Sequence, residues 1–174
     1  MQVTTQTPTE SGSPLKGDSR AGKYLAFHLG REEFAIQVLK VREIMGIQDI
    51  TAVPQTPGYV KGVINLRGKV IPVIDLRLRF GLPQIEYTQR TCIIVVQVQG
   101  DRGSVSLTGI VVDEVSEALN IAATEVEDTP EFGDGRSTPY LLGMAKSKGK
   151  VKILLDSDQV LQANELAGLE SMLH

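Results

Sequence analysis

Few residues of this chain could carry out covalent or acid–base chemistry. The 174 residues include two histidines, His28 and His174, and one cysteine, Cys92. A nucleophilic pair of Cys92 and His28 is conceivable, but neither residue has the local signature of such a pair. The residues therefore favour a buried cysteine and a histidine within a strand. A single cysteine can form neither an internal disulfide nor a thiolate metal site.

Two aspartates, Asp75 and Asp156, stand at corresponding points of two similar segments. Paired carboxylates could act as acid and base if they faced one another. Residues repeated at strand ends more often accept backbone N–H bonds at a turn, which favours a structural role. Residues 125–134 are acidic but lack the alternation of a calcium loop, and no glycine-rich phosphate motif is present. We therefore expect a binding protein without metal or cofactor, and not an enzyme.

The residues that could bind a partner are charges that the fold does not require. Arg67 is predicted at the tip of a hairpin, and its counterpart Lys148 keeps the charge but not the planar guanidinium. Glu43 and its counterpart Glu117 stand among apolar residues that we expect in the core. Most single surface charges are merely solvated, so a binding role needs further support.

Composition excludes several classes of protein. The chain has 18 basic and 21 acidic residues and a formal charge of −3, which gives no electrostatic reason to expect nucleic acid as a partner. No apolar run is long enough to span a membrane, and the N-terminus lacks the apolar core of a signal peptide. These features predict a cytoplasmic protein. Aromatic residues make up only 5% of the chain, so the core should be mostly Val, Ile and Leu.

The residue pattern predicts a mainly β protein between two tails. Residues 1–22 are rich in Thr, Ser, Pro and Gly and predict a disordered tail, and residues 163–174 predict a C-terminal tail that could be helical. Residues 59–61 suggest a helical turn, and Pro72 predicts that its strand lies at an edge or a bulge. Alternation and β-branched runs predict strands at 24–29, 34–38, 63–66, 70–76, 91–99, 104–112, 140–145 and 151–155, and a short helix at 158–161.

The two halves of the chain resemble each other. Residues 62–75 recur at 143–156, an offset of 143 − 62 = 81, and residues 36–45 recur at 110–119, an offset of 110 − 36 = 74. Chance likeness between apolar hairpins is the alternative, because apolar strands converge easily. Two copies of a small five-stranded unit, at about 23–85 and 86–162, predict two barrels whose closure removes exposed edges.

The residues resemble one known family. The matching pieces run in order through most of residues 23–161, and include the Asn-Leu-Arg-Gly hairpin with its following Pro-Val-Ile-Asp and the segment Val-Val-Asp-Glu-Val. They are similar to the CheW family of bacterial chemotaxis adaptors. The four pieces are KYLAFHLGREEFAIQVLKVREI, VPQTPGYVKGVINLRGKVIPVIDLRLRFGL, LTGIVVDEVSEAL and PYLLGMAKSKGKVKILLDSDQVL.

The resemblance implies an all-β fold of two pseudo-twofold-related, five-stranded barrels of the Src-homology-3 type, with short helices. It implies a non-catalytic adaptor that couples methyl-accepting chemoreceptors to the histidine kinase CheA. The receptor tip would lie in a groove at Val41, Glu43, Arg67 and Ala118. This groove would have apolar walls and a few charges that fix the register of the bound helices. The groove is expected to be shallower at Ala118, where relatives often carry Val. The kinase contact is expected on an apolar edge of the first barrel, at residues that the resemblance does not identify.

Two other functions remain open from the sequence. The chain could be the CheW-like part of a larger signalling protein or of a twitching or gliding pathway, although it has no room for a receiver domain. It could also be a small enzyme that uses Asp75 and Asp156, which the lack of a surrounding catalytic cluster disfavours.

Overall fold

Strands make up most of the computed structural model, which describes residues 20–100, 103–128, 140–147 and 149–161. The all-β prediction is confirmed. The predicted tails lie outside these ranges except for residues 20–22, where Gly22 begins the first strand. The strands are β1 Gly22–Leu29, β2 Glu32–Gln37, β3 Val41–Gly46, β4 Val60–Leu66, β5 Lys69–Asp75, β6 Cys92–Gln99, β7 Val105–Val112, β8 Glu114–Ile121, β9 Val126–Glu127, β10 Leu141–Ser147 and β11 Lys150–Leu155, and the helices are α1 Leu76–Arg79 and α2 Ser157–Leu161.

The strands form two sheets of mixed direction. The five-stranded sheet has the order β3-β6-β7-β5-β4, and the six-stranded sheet has the order β8-β1-β2-β11-β10-β9. Neighbouring strands are antiparallel except for two parallel pairs, β5 with β7 and β2 with β11. The extra strand of the larger sheet is the two-residue β9, where the smaller sheet has only an isolated bridge between Thr51 and Val63.

The two sheets do not correspond to the two halves of the chain. We call β1–β5 with α1 the first half, and β6–β11 with α2 the second half. Each half gives its first hairpin, β1–β2 or β6–β7, to the sheet built from the remaining strands of the other half. The predicted boundary near residue 85 was therefore wrong as a boundary between sheets, because it falls inside the five-stranded sheet, which residues 41–112 build.

The internal repeat is confirmed at the level of single hydrogen bonds. The backbone N–H of Asp75 donates to the carbonyl of Tyr59 at 2.8 Å, and that of Asp156 donates to the carbonyl of Tyr140 at 2.9 Å. The two parallel pairs also correspond, since Val73 lies opposite Gly109 and Leu154 lies opposite Ala35. The offsets of 81 and 74 therefore relate equivalent positions of one repeated unit.

The predicted hairpin is β4–β5, and its tip is the two-residue turn Arg67–Gly68. Both residues have positive φ, 51° and 86°, as the tight turns of β-hairpins require. One local prediction was wrong, because residues 59–61 lead into β4 and are not a helical turn. Of the two alternatives for Pro72, the edge is contradicted, since β5 is an internal strand, but the pairing of β5 with β4 has a bulge next to Pro72. The sheet tolerates this proline because β7 begins to pair with β5 only at the next residue, Val73.

Three apolar clusters follow from the alternation of side chains along the strands. One lies within the five-stranded sheet and one within the six-stranded sheet, while the largest joins the two sheets. Consecutive residues of β6 show the principle, because Ile93 packs within its own sheet and Ile94 packs in the cluster between the sheets. Each barrel therefore has its own interior, and a shared core fixes the barrels against each other.

One ion pair is built into the interior of the six-stranded sheet. The Nζ of Lys152 on β11 lies 3.0 Å from Oε1 of Glu33 on β2, and only 2% of the lysine is exposed. The hydroxyl of Ser116 donates to the other carboxylate oxygen at 3.2 Å. Burial alone would raise the pKa of Glu33, but the bonds and charge of these partners outweigh burial and lower the pKa below its ordinary value of 4.5.

The lowered pKa of Glu33 predicts an acid-sensitive contribution to stability. A carboxyl whose pKa is lower when folded stabilises the protein above its unfolded pKa, and this stability is lost as the pH falls through the folded pKa. We expect the urea midpoint to fall as the pH is lowered below about 5, and to fall less in Glu33→Gln. Urea titrations of both chains across this range measure the difference. An equal acid dependence in both chains would contradict this role for Glu33.

Candidate partner-binding site

The candidate binding residues come from the edge strands of the two sheets. Strand β3 is an edge of the five-stranded sheet, and β8 is an edge of the six-stranded sheet. The offset of 74 makes the two strands equivalent, so Glu43 corresponds to Glu117. Both strands alternate half-buried and exposed residues. Glu43 and Glu117 are accordingly half-buried edge residues, which corrects the expectation that their surroundings form the core.

Glu43 and Arg67 form an ion pair that spans the five-stranded sheet. The guanidinium Nη1 of Arg67 lies 2.8 Å from Oε1 of Glu43, with 74% of the arginine side chain and 28% of the glutamate side chain exposed. Glu43 lies on β3, and Arg67 follows β4, which are the two end strands of the sheet. The contact therefore brings the two ends together and closes the sheet. A guanidinium has more donors than one carboxylate oxygen engages, so the pair can still bind an acidic partner.

The other two candidates lie in different sheets. Val41 begins β3 and packs partly against the core cluster between the sheets. Val41 and Glu43 are two positions apart on β3, but a register shift pairs them with adjacent residues of β6, Val96 and Val95. Ala118 is exposed on β8, opposite Leu25, in the other sheet. The hydrogen bonds and ion pairs of the described ranges join Glu43 to Arg67 and do not link Ala118 to them. Lys148, the counterpart of Arg67, lies outside those ranges.

The two repeated aspartates cap the helices that follow them. Asp75 is 2% exposed and accepts bonds from the backbone N–H of Arg77 at 3.0 Å and from the hydroxyl of Tyr87 at 3.1 Å. Burial and the charge of Asp75 raise the pKa of Tyr87 well above its ordinary range. Asp156 accepts a bond from the backbone N–H of Gln159 at 3.3 Å. Each aspartate thus has the predicted local role at the start of its own helix.

Cys92 and His28 are not brought together as a nucleophilic pair. Cys92 begins β6 in the five-stranded sheet, is half-buried, and directs its thiol to the carbonyl of Arg90 at 3.3 Å. His28 lies on β1 in the six-stranded sheet, between Glu33 and Glu114 on the adjacent strands. Within the described part of the chain, no group of three or more His, Cys, Asp or Glu side chains is placed to hold a metal ion.

An apolar cavity of about 470 Å³ is a feature that the sequence did not indicate. A ladder of rings borders it, with centroids 5.7 Å apart between Phe34 and Phe80 and 5.5 Å apart between Phe80 and Tyr140. The three rings come from β2, from the end of α1 and from the residue before β10. No local pattern could therefore have predicted their contact. Such a surface can receive apolar side chains.

Comparison with known proteins identifies one family. The family model of the CheW-like domain matches residues 23–165. The chain is 38% identical over 160 residues to the chemotaxis protein CheW of Klebsiella aerogenes, covering 92% of this chain and 93% of that protein. It is 35% identical over 141 residues to the chemotaxis protein CheW of Rhizobium meliloti, covering 81% and 88%.

A solved structure agrees with these relatives. The crystal structure of the scaffolding protein TtCheW from Thermoanaerobacter tengcongensis matches with a TM-score of 0.73 and 32% sequence identity, covering 83% of this chain and 95% of that chain. Among the described residues, the helices are all too short or too polar to cross a membrane.

Proposed function

The chain belongs to the CheW family of chemotaxis scaffold proteins, and from this premise we propose that it couples methyl-accepting chemoreceptors to the histidine kinase CheA. In this proposal the protein acts in the cytoplasm as a non-catalytic adaptor, and its association with the membrane is indirect, through the receptors. The observation that carries the proposal is the ion pair between half-buried Glu43 and exposed Arg67, in a chain whose residues 23–165 match the family.

The proposed receptor site combines Val41, Glu43, Arg67 and Ala118. A helical receptor tip needs an apolar surface for its buried face and a few charges that fix its register. The edge strands supply half-buried apolar residues such as Val41, and the Glu43–Arg67 pair supplies charges of both signs. The exposed methyl group of Ala118 allows a close approach on β8.

The proposed kinase contact uses an apolar edge of the five-stranded sheet. Ile44, next to Glu43 on β3, is 45% exposed. Successive side chains of a strand point to opposite faces, so Glu43 and Ile44 can serve different partners. This arrangement supports an adaptor that holds a receptor and a kinase together.

We expect Arg67→Glu to lose receptor binding while the chain stays folded. The new carboxylate would repel Glu43 and remove the guanidinium, and loss of a central charged contact typically weakens binding by about 2 kcal/mol or more. Co-purification of receptors and kinase with the tagged protein from a cell lysate measures the effect. The kinase should still co-purify with the variant.

The neighbouring residue Lys69 offers a matched control. Lys69 is exposed and lies one position beyond the turn, so Lys69→Glu makes the same charge change without touching Glu43. We expect this variant to bind receptors nearly as well as the original chain. Normal receptor binding by Arg67→Glu would show that the site is wrongly placed.

A further inference from the structure

Two partly buried junctions attach the exchanged hairpins to the rest of the molecule. At the first junction, Arg77 of α1 meets Asp113, which lies between β7 and β8. Nη1 of Arg77 is 2.7 Å from Oδ2 of Asp113, and both side chains are largely buried. The same carboxylate oxygen accepts the backbone N–H of Gly30, in the turn of hairpin β1–β2, at 2.7 Å. One ion pair thus anchors a helix, a strand connection and a hairpin turn.

The second junction has the same parts with the charges reversed. Asp158 of α2 is the equivalent of Arg77 at the offset of 81, and it meets Lys40, in the connection between β2 and β3. Nζ of Lys40 is 2.8 Å from Oδ2 of Asp158. Oδ1 of Asp158 accepts the backbone N–H of Gln99, at the end of the first strand of hairpin β6–β7, at 3.1 Å. Here the helix carries the anion and the connection carries the cation.

The reversal means that each half contributes one sign of charge to both junctions. The first half supplies the two cations, Lys40 and Arg77, and the second half supplies the two carboxylates, Asp113 and Asp158. At the offset of 74 the counterpart of Asp113 is Leu39, so a docked pair of first halves would place Arg77 against Leu39, next to Lys40, and without a carboxylate. The counterpart of Lys40 is Glu114, so a docked pair of second halves would place Asp158 against Glu114, another carboxylate. Only opposite halves bring opposite charges together.

The buried pair Glu33–Lys152 opposes the wrong combinations independently, although here the first half supplies the carboxylate and the second half supplies the cation. It also crosses between the halves, since Glu33 belongs to the first half and Lys152 to the second. The equivalent positions in the other copy, at the offsets of 74 and 81, are Leu107 and Ile71, which pack together in an apolar cluster. Two first halves would therefore bury Glu33 against Ile71, and two second halves would bury Lys152 against Leu107. An unpaired buried charge opposes either combination.

We propose that these three contacts are a recognition surface by which each half accepts only the opposite half of this chain and rejects a copy of itself. The repeated unit makes such a surface necessary, because the backbone of each hairpin matches the sheets of both copies. The backbone of a hairpin could pair with the strands of either half, and the charged side chains decide between the two. The partner of each exchanged hairpin is therefore specified by electrostatic mismatch in the wrong combinations.

Substitutions in the complete chain test this proposal, because they can give one junction the charges that it would have in a wrong combination of halves. Asp113→Lys removes the carboxylate that Arg77 binds and brings a second cation to this junction, as Lys40 would in a docked pair of first halves. We expect the folding equilibrium constant, measured by urea unfolding, to fall about a hundredfold or more. Asp113→Asn removes the negative charge without adding a positive one, and we expect it to cost about tenfold.

Adding Arg77→Asp to Asp113→Lys should restore stability. The double variant has the carboxylate on the helix and the cation on the strand connection, as in the second junction. We expect the double variant to regain most of the lost stability. Adding Lys40→Asp instead should give no rescue, since that change acts at the other junction and faces Asp158. Equal stabilities of Asp113→Lys and Asp113→Asn would overturn the proposal. So would a double variant with Arg77→Asp that folds no better than Asp113→Lys alone.

Discussion

Replacing Lys152 by alanine should lower the free energy of unfolding by about 3–5 kcal/mol, since removal of one partner leaves a buried charge without compensation. Glu33 would keep the hydroxyl of Ser116 but lose its cation. Urea unfolding followed by circular dichroism measures the loss. The ion pair Lys146–Glu127 is the control, because its two side chains are 70% and 55% exposed. Lys146→Ala should change stability by less than about 1 kcal/mol.

The other copy of the repeat indicates how the same position can be filled without charge. Leu107 and Ile71 occupy the equivalent places. The double variant Glu33→Leu with Lys152→Ile should therefore be close to the original chain in stability, because apolar replacement of a whole buried ion pair is often neutral or stabilising. If the double variant were as unstable as Lys152→Ala, the ion pair would contribute net stability to this sheet beyond offsetting the cost of burying its two charges.

Replacing Gly62 by alanine should lower the free energy of unfolding by about 3 kcal/mol or more. The φ of Gly62 is +142°, and an added Cβ would lie 2.0 Å from the carbonyl oxygen of Thr51. That oxygen accepts the backbone N–H of Val63, so the strand cannot move away without losing a hydrogen bond. The bulge that lets β4 bend at this residue would have to rearrange.

Two other glycines separate the causes of this effect. Gly68 has a φ of +86° but open space around its added Cβ, so Gly68→Ala should show the conformational cost alone, about 1 kcal/mol. Gly58 has neither a positive φ nor a close neighbour, and Gly58→Ala should have almost no effect. If Gly62→Ala were no worse than Gly68→Ala, the close approach of Thr51 would not be limiting.

Local patterns in the sequence predicted the strands well. The β-branched run at 91–99 is β6, and the glycine after Arg67 predicted a turn whose positive φ the structure shows. Pro72 was misleading as a sign of an edge strand, because its missing donor matters only where a neighbouring strand needs it. That need depends on where β7 begins to pair with β5, which is information from a distant part of the chain.

The repeat predicted the architecture but not the partners within it. An offset between two segments tells which residues are equivalent, and the equivalent hydrogen bonds of Asp75 and Asp156 confirm it. The offset does not predict whether a hairpin pairs with the strands of its own half or with those of the other half, because the backbones of the two halves are equivalent. Only side chains that differ between the copies, such as Lys152 and Ile71, could have indicated the exchange.

The candidate site was predicted as residue types and not as a contact. The family resemblance places Glu43 and Arg67 in one groove, but their ion pair cannot be predicted from the sequence, because 23 residues separate them and they belong to opposite ends of the five-stranded sheet. Their approach depends on the curvature that closes the five-stranded sheet. The ring ladder of Phe34, Phe80 and Tyr140 was missed for the same reason, because three distant elements build it.

The exchange of hairpins also sets the order in which a growing chain can fold. Hairpin β1–β2 leaves the ribosome first, but its parallel partner β11 ends only at Leu155. All strands of the five-stranded sheet lie between Val41 and Val112, so that sheet can assemble while later residues are still being synthesised. Strand β2 is thus among the first strands made and among the last to be paired on both of its edges. Until β11 has been made, one edge of β2 carries unpaired backbone donors and acceptors, which are a template for pairing with another chain.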